Sequence, residues 1–169
     1  NKSIFILLFL VFLGCGENSS KNINPETATN EILIGAFNVQ IFGRSFMEKE
    51  DNVNTLINII KRYDIILIQE IRDSSEESIN TLSQMLPEYN LSLSERLGRT
   101  SSKEQYAFLS KKNIDIIDCV TYNDESDEFE REPYTCRFKF EDNYINLIGI
   151  HTKPTDAESE INKLYDVYN

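Results

Sequence analysis

Ile65-Ile66-Leu67-Ile68-Gln69-Glu70 is a run of four apolar residues that ends in two polar ones. An unbroken apolar run of strand length that stops at polar residues is typical of a β-strand buried on both faces. Strands of this kind that alternate with helices are typical of α/β proteins, so the sequence predicts a mixed sheet covered by helices. The helix predicted before this strand has its apolar residues at Val53, Leu56, Ile57 and Ile60.

Other β segments and helices flank this central strand. Ile32–Phe37 reads as a buried strand that comes before the first helix. Ser74-Ser75-Glu76-Glu77 has the pattern of a capping box and predicts the start of a second helix. A further helix is predicted at the end of the chain, with an apolar stripe between Ile161 and Tyr168. The remaining predicted strands are Tyr89–Leu93, Tyr106–Ser110, Ile114–Tyr122, Tyr134–Phe140 and Tyr144–Ile150.

The charge of the chain limits how it could bind nucleic acid. Its 169 residues carry a net charge of −11 in an ordinary globular composition, with 40% hydrophobic and 27% charged residues. A protein of this charge has no basic field that attracts a polyanion over long range. Any phosphate ligand is therefore expected to be held locally, by individual arginines and a metal ion.

Residues 1–15 have the pattern of a signal peptide. The apolar run Ile4–Leu13 is too short to span a bilayer of about 30 Å as a helix, and it fits the hydrophobic region of a secretion signal. Phe12-Leu13-Gly14-Cys15 resembles a bacterial lipoprotein cleavage box, which predicts that Cys15 is lipidated. The alternative is ordinary secretion with loss of Cys15. Residues 16–30 then form a polar tether, and the protein is secreted or lipid-anchored at the bacterial cell envelope.

Two further cysteines, Cys119 and Cys136, stand on either side of an acidic turn, Asn123–Glu130. Export would place them in an oxidising compartment, where a disulfide across two neighbouring strands can form. Connectivity cannot be read from a sequence, so both the disulfide and two free thiols remain open.

Three polar residues follow directly after apolar strands: Asn38, Glu70 and His151. Strand ends are where rigid scaffolds often present side chains to ligands. A carboxylate beside an amide oxygen suits Mg²⁺, and a histidine nearby could move a proton. The alternative interpretation is that each residue merely ends its strand.

Longer motifs around these residues resemble the deoxyribonuclease I family. The resemblance runs from about residue 31 to residue 169 and implies a two-sheet α/β sandwich flanked by helices, of which this chain is the N-terminal portion. The motifs are Ile34–Gly43, Arg62–Ser74, Ser94–Arg99, Lys103–Tyr106, Arg131–Pro133, Ile150–Ala157 and Glu160–Tyr168.

The resemblance assigns roles to four of these residues. Glu70, with Asn38 beside it, corresponds to the carboxylate that binds the catalytic cation, which is Mg²⁺, alone or with Ca²⁺. His151 corresponds to one of two catalytic histidines in the family. Glu104 corresponds to the carboxylate that orients His151 and raises its basicity.

The resemblance also identifies Arg72 and Arg131 as phosphate contacts, with Arg72 against the minor groove, where readout is degenerate. Arg99 is either another phosphate contact or part of a solvated basic patch. Two positions depart from the family: Ser102 stands where Tyr is frequent, and Gln40 where Arg is frequent. Both departures are expected to weaken DNA binding more than they affect the chemistry.

These features together predict a metal-dependent endonuclease that cleaves double-stranded DNA with little sequence specificity. The alternatives are a toxin subunit or a lipid phosphodiesterase or phosphatase of the same superfamily, and a non-catalytic DNA-binding module at the cell surface. No obligate protein partner is indicated. The family's later Asp-x-Asn and Ser-Asp-His segments are not in these 169 residues, so this portion alone is expected to fold poorly and to be inactive.

Overall fold

The computed structural model of the chain describes residues 3–8 and 31–168. Helices and strands alternate in the first half, and strands dominate the second. In chain order the elements are β1 Ser3–Leu8, β2 Ile34–Phe42, α1 Arg44–Met47, α2 Glu50–Ile60, β3 Ile65–Ile71, α3 Glu77–Gln84, β4 Tyr89–Leu93, β5 Gln105–Lys111, β6 Asp115–Thr121, β7 Tyr134–Phe140, β8 Asn143–Gly149 and α4 Ala157–Tyr168.

The strands form two sheets of four. The first sheet has the order β2-β3-β5-β4, and the second has the order β1-β8-β7-β6. The pairs β2–β3 and β1–β8 are parallel, and all other pairs are antiparallel. The predicted two-sheet sandwich is therefore confirmed, and within the first sheet the prediction of mixed strand directions also holds.

The central strand β3 shows why an unbroken apolar run was required. Ile66 and Ile68 belong to the core between the first sheet and the helices, whereas Ile65 and Leu67 belong to the core between the two sheets. All four side chains are fully buried. Each contributes about 1.5–3 kcal/mol relative to an exposed side chain, so β3 anchors both cores.

Helix α4 lies on the opposite face of the second sheet. Its Leu164 packs in one cluster with Phe129, Ile148 and Ile150. The side chains of β8 thus also alternate between two cores, because Ile145 and Leu147 point into the core between the sheets, whereas Ile148 packs near α4. The layers run helices, first sheet, second sheet, helix. None of the helices in the described parts of the chain has the length and apolar character needed to cross a bilayer.

The N-terminal segment Ser3–Leu8 is paired in parallel with β8, from Ser3 opposite Tyr144 to Leu8 opposite Gly149. The sequence analysis interprets this segment as part of a secretion signal. An open strand edge and an apolar segment satisfy each other's backbone hydrogen-bonding groups, which accounts for the pairing in the uncleaved chain. Cleavage stays a prediction, and both Cys15 and the tether at 16–30 lie outside the described residues.

The capping box predicted at Ser74-Ser75-Glu76-Glu77 is wrong, although helix α3 does begin there. The N-cap residue is Glu76, and its side chain makes no capping hydrogen bond. The carboxylate of Asp73 takes this role, because it accepts the backbone N–H and hydroxyl of both Ser75 and Ser78. Burial alone raises the pKa of Asp73, but these hydrogen bonds outweigh it and hold the pKa well below its usual value.

The structure joins Cys119 and Cys136 in a disulfide between β6 and β7, where the two residues lie opposite each other. Cys136 is fully buried, and the hydroxyl of Ser92 donates a hydrogen bond of 3.0 Å to Cys119 Sγ. The bond closes the acidic turn at its base.

Replacing both cysteines by alanine should lower the free energy of unfolding by about 3 kcal/mol, because a cross-link between residues 17 apart restricts the unfolded chain by roughly that amount. Denaturant unfolding of the complete protein measures the loss. The unmodified protein in reductant serves as the control and should unfold at the midpoint of the variant. Equal stability of the oxidised protein and the variant would contradict the prediction.

Candidate active site

The adjacent ends of β2 and β3 carry an irregularity that redirects Glu70. Pairing shifts between Asn38 and Phe42 on β2, and between Ile68 and Ile71 on β3. Glu70 itself has a φ of 62°, in the left-handed region that a glutamate rarely adopts. Simple alternation would place Glu70 on the helix side, but Ile71 lies in that core instead. The bulge therefore frees Glu70 to face the second sheet.

Both carboxylate oxygens of Glu70 are held by neighbouring donors. The Asn38 side-chain amide nitrogen donates to Oε1 at 2.7 Å, and the Ile41 backbone N–H donates to Oε2 at 3.0 Å. Asn38 Oδ1 in turn accepts the Gln40 N–H at 2.8 Å. From the sequence, we expected the amide oxygen of Asn38 to lie beside the carboxylate. In the structure its nitrogen faces Glu70, so Asn38 orients the carboxylate.

Glu104 is the buried centre of the site, with 1% of its side chain exposed. Its Oε1 accepts hydrogen bonds from Arg72 Nη2 at 2.7 Å and from Arg131 Nη2 at 3.0 Å. Its Oε2 lies 2.8 Å from His151 Nδ1. Burial raises the pKa of Glu104, but the hydrogen bond with His151 and the charges of the two arginines outweigh it, so the net pKa is lowered.

His151 follows β8 and reaches the first sheet through its ring. Because Nδ1 is paired with Glu104, the other ring nitrogen, Nε2, is directed toward Glu70, 3.8 Å from its Oε1. About a quarter of the His151 side chain is exposed. The structure thus brings Asn38, Glu70, Glu104 and His151 together, as the sequence analysis expected, from four separate segments of the chain.

The predicted phosphate contacts divide into two groups. Arg72 and Arg131 lie at the site, with 31% and 15% of their side chains exposed. Arg72 also donates to the Ser102 hydroxyl at 3.1 Å. Arg99 pairs instead with Asp127, through Nε at 2.8 Å and a second contact with the Asp127 carbonyl. Arg99 is therefore bound to the acidic turn.

Two buried polar residues at the site were missed by the sequence analysis. Gln69 Nε2 donates to the Ile150 carbonyl at 2.7 Å, and the His151 N–H donates to the Tyr106 hydroxyl at 2.7 Å. The signal for Gln69 was present: alternation from Ile65 and Leu67 puts a glutamine into the core between the sheets, where a polar side chain needs a partner. Tyr106 lies in the family motif Lys103–Tyr106, but no role was assigned to it.

A cleft of about 380 Å³ opens beside His151. Cationic and anionic side chains both line it, so it could accommodate a phosphate held together with a cation. Lys153 is fixed at its rim by an ion pair of 2.9 Å with Asp156. The polar residues of the lining are Glu70, Thr100, Glu130, Arg131, His151, Thr152 and Lys153.

The donors at Glu70 fit part of a magnesium site. Among the described residues there is no group of three or more His, Cys, Asp or Glu side chains placed to hold a metal ion. Mg²⁺ is, however, usually bound by one or two carboxylates together with water and substrate phosphate oxygens. The oriented carboxylate of Glu70 is a donor of this kind, and it faces the cleft.

Comparison with known proteins identifies the class to which this fold and site belong. Residues 35–155 match the Endonuclease/Exonuclease/phosphatase family, and the chain belongs to that family. Within it, the chain is 38% identical over 151 residues to human deoxyribonuclease-1 and 37% identical over 151 residues to the bovine protein. Each match covers 81% of this chain and 54% of the relative. The resemblance to deoxyribonuclease I is thereby confirmed, and the chain spans about half the length of these relatives.

Solved structures agree on the fold. The structure of D. rerio TDP2 with a single-strand DNA product matches with a TM-score of 0.59 at 10% identity, over 82% of this chain and 54% of that chain. A mannosyl-6-phosphatase of Bacteroides thetaiotaomicron matches with a TM-score of 0.55 at 12% identity, over 81% of this chain and 59% of that chain. Identities this low support the shared fold alone.

Replacing Glu104 by glutamine should lower the free energy of unfolding at pH 7 by about 3 kcal/mol, because it breaks a buried ionic cluster. The pKa of Glu104 is lowered in the folded state. Its stabilisation is therefore present above the ordinary glutamate pKa of about 4.3 and is lost as the pH falls below it. The difference in the free energy of unfolding between the variant and the unmodified protein should therefore be smaller at about pH 3.5 than at pH 7.

Urea unfolding of both proteins at the two pH values measures this gap. The matched control is Glu95→Gln, which removes an exposed carboxylate and should change stability by less than about 0.5 kcal/mol. A gap for Glu104→Gln that is the same at both pH values would refute the prediction.

Proposed function

We propose that the protein is a metal-dependent endonuclease that hydrolyses phosphodiester bonds in double-stranded DNA with little sequence specificity. One observation carries the proposal. In a chain 38% identical to human deoxyribonuclease-1, His151, paired with Glu104, and the oriented carboxylate of Glu70 line the same cleft. A proton carrier and a cation ligand beside each other in one cleft are what phosphodiester hydrolysis requires.

The proposal assigns the proton to His151. The Glu104 carboxylate accepts Nδ1–H, so Nε2 is left as the nitrogen that takes or releases a proton in the cleft. Arg131 donates to the His151 carbonyl at 3.3 Å. This hydrogen bond holds the backbone of His151 in place during proton transfer.

Glu70, oriented by Asn38, is the residue that would hold the cation, which is Mg²⁺, alone or with Ca²⁺. When bound, such a cation polarises the phosphate and stabilises the charge that develops on it. Arg72 and Arg131 already neutralise Glu104, and their remaining N–H groups are the local positive charge available to phosphate oxygens. This is how a chain with a net charge of −11 could bind DNA.

The complete protein should nick supercoiled plasmid in Mg²⁺ and lose this activity on chelation. His151→Ala should lower the rate by about 10²-fold or more, the usual contribution of general acid–base catalysis. Gel electrophoresis of the plasmid gives the rate, and Lys112→Ala, at an exposed lysine, is the control expected to retain it. Full activity of His151→Ala would refute the role of His151.

Parallel assays separate this proposal from the alternatives. Turnover on plasmid is compared with turnover on phosphoinositide vesicles, sphingomyelin vesicles and a sugar phosphate, at the same protein and Mg²⁺ concentrations. Faster turnover on any of the last three would replace the DNA assignment by a lipid or phosphomonoester substrate. Binding of DNA by the complete protein without cleavage in any divalent cation would favour the non-catalytic module.

The protein is further proposed to be exported and held at the bacterial cell envelope through a lipid on Cys15, or released from it. The disulfide between Cys119 and Cys136 supports export, because such bonds persist mainly in oxidising compartments. Cys15→Ser should move the protein from the membrane fraction to the soluble fraction of the producing cell, as measured by fractionation and immunoblotting. An unmodified protein already in the soluble fraction would exclude the anchor and leave simple secretion.

A further inference from the structure

We propose that Gln69 and Tyr106 are positioning residues that fix His151 by binding the peptide bond between Ile150 and His151. The inference rests on the proposed function, since it concerns how the same site is held in working order. It adds two residues that touch neither Nε2 of His151 nor the carboxylate of Glu70 through any hydrogen bond, and that act through the backbone.

The two hydrogen bonds grip one peptide unit from both sides. Gln69 Nε2 donates to the Ile150 carbonyl at 2.7 Å, and the adjoining His151 N–H donates to the Tyr106 hydroxyl at 2.7 Å. The C=O and N–H concerned belong to the same peptide bond. Gln69 and Tyr106 are each only 1% exposed, so neither hydrogen bond competes with bulk water.

This peptide needs such partners because it lies just beyond the sheet. Strand β8 ends at Gly149, which is the last residue paired with β7, opposite Tyr134. The side chain of Ile150 is nevertheless buried. A buried backbone N–H or C=O without a partner is costly, and the ladder no longer supplies one here. Gln69 and Tyr106 take the place of a neighbouring strand.

The two hydrogen bonds to this peptide bond also connect the part of the site on the first sheet with the part on the second sheet. Gln69 lies on β3 and Tyr106 on β5, both in the first sheet, whereas His151 follows β8 of the second sheet. Gln69 directly precedes Glu70 on β3, so the side chain that binds the Ile150 carbonyl is adjacent in sequence to the one that the bulge directs into the cleft. The distance of 3.8 Å between His151 Nε2 and Glu70 Oε1 is thereby set through the backbone.

Displacement of a catalytic group by about 1 Å can cost about 10²-fold in rate. Loss of either hydrogen bond should therefore lower the rate more than it lowers DNA affinity. Burial raises the pKa of Tyr106 far above its ordinary value, so its hydroxyl stays neutral and remains an acceptor for the His151 N–H.

The test uses Tyr106→Phe and Gln69→Met in the complete protein, which remove one hydrogen bond each and nearly preserve shape. On plasmid in Mg²⁺ we expect kcat to fall about 10- to 100-fold, with KM changed less than about threefold. In the His151→Ala background, Tyr106→Phe should have no further effect, because it acts through the missing ring.

Tyr89→Phe is the matched control. Tyr89 is also buried, and its hydroxyl donates to the carbonyls of Ile60 and Tyr63, in the helix-side core and outside the site. This variant loses a buried hydrogen bond and should keep the unmodified kcat. If Tyr106→Phe and Gln69→Met also keep it, the positioning role is wrong.

A second readout does not depend on cleavage. The imidazole resonances of His151, assigned in ¹⁵N spectra by their loss in His151→Ala, should move in both variants and stay unchanged in Tyr89→Phe. Unmoved resonances in folded variants would overturn the inference. If the unmodified protein cleaves no DNA while these resonances move as expected, the proposed function fails and the positioning role stands.

Discussion

The carboxylate of Glu104 is the group around which the rest of the site is organised. Burying an anion costs several kcal/mol unless cations and hydrogen-bond donors surround it. Here the donors come from Arg72 at the end of β3, Arg131 before β7 and His151 after β8. Because each partner belongs to a different segment, satisfying one buried charge brings the two sheets into register at this edge. The same charge orients the imidazole, so structural need and chemistry coincide in one residue.

The backbone also departs from regular strand geometry at the same edge. Gln40, Ile41 and Glu70 all have left-handed backbone conformations, and strand pairing shifts next to them. Such conformations are costly for residues other than glycine and persist where the surroundings enforce them. In this protein the full burial of β3 on both faces provides that support. A regular strand would have pointed Glu70 into the apolar core between the first sheet and the helices, where burying an unpaired carboxylate is costly.

Membership in the family defines the scaffold, whereas the substrate depends on the side chains that the scaffold presents. A protein bound to a single-strand DNA product and a sugar phosphatase share this fold with the chain at about 10% identity. Identity of 37–38% to deoxyribonuclease-1 proteins is a much closer relation.

Local patterns in the sequence predicted strands β2 to β8, the two-faced burial of β3 and, through the family motifs, Glu70, Glu104 and His151 as site residues. These features follow from neighbours along the chain. Three features required the tertiary structure. They are the disulfide between Cys119 and Cys136, the ion pair of Arg99 with the acidic turn, and the hydrogen bonds to the peptide bond between Ile150 and His151. Each of these depends on residues 17 to 81 positions apart. A buried polar group accepts whichever partner the packed sheets bring to it, and no local pattern records that choice.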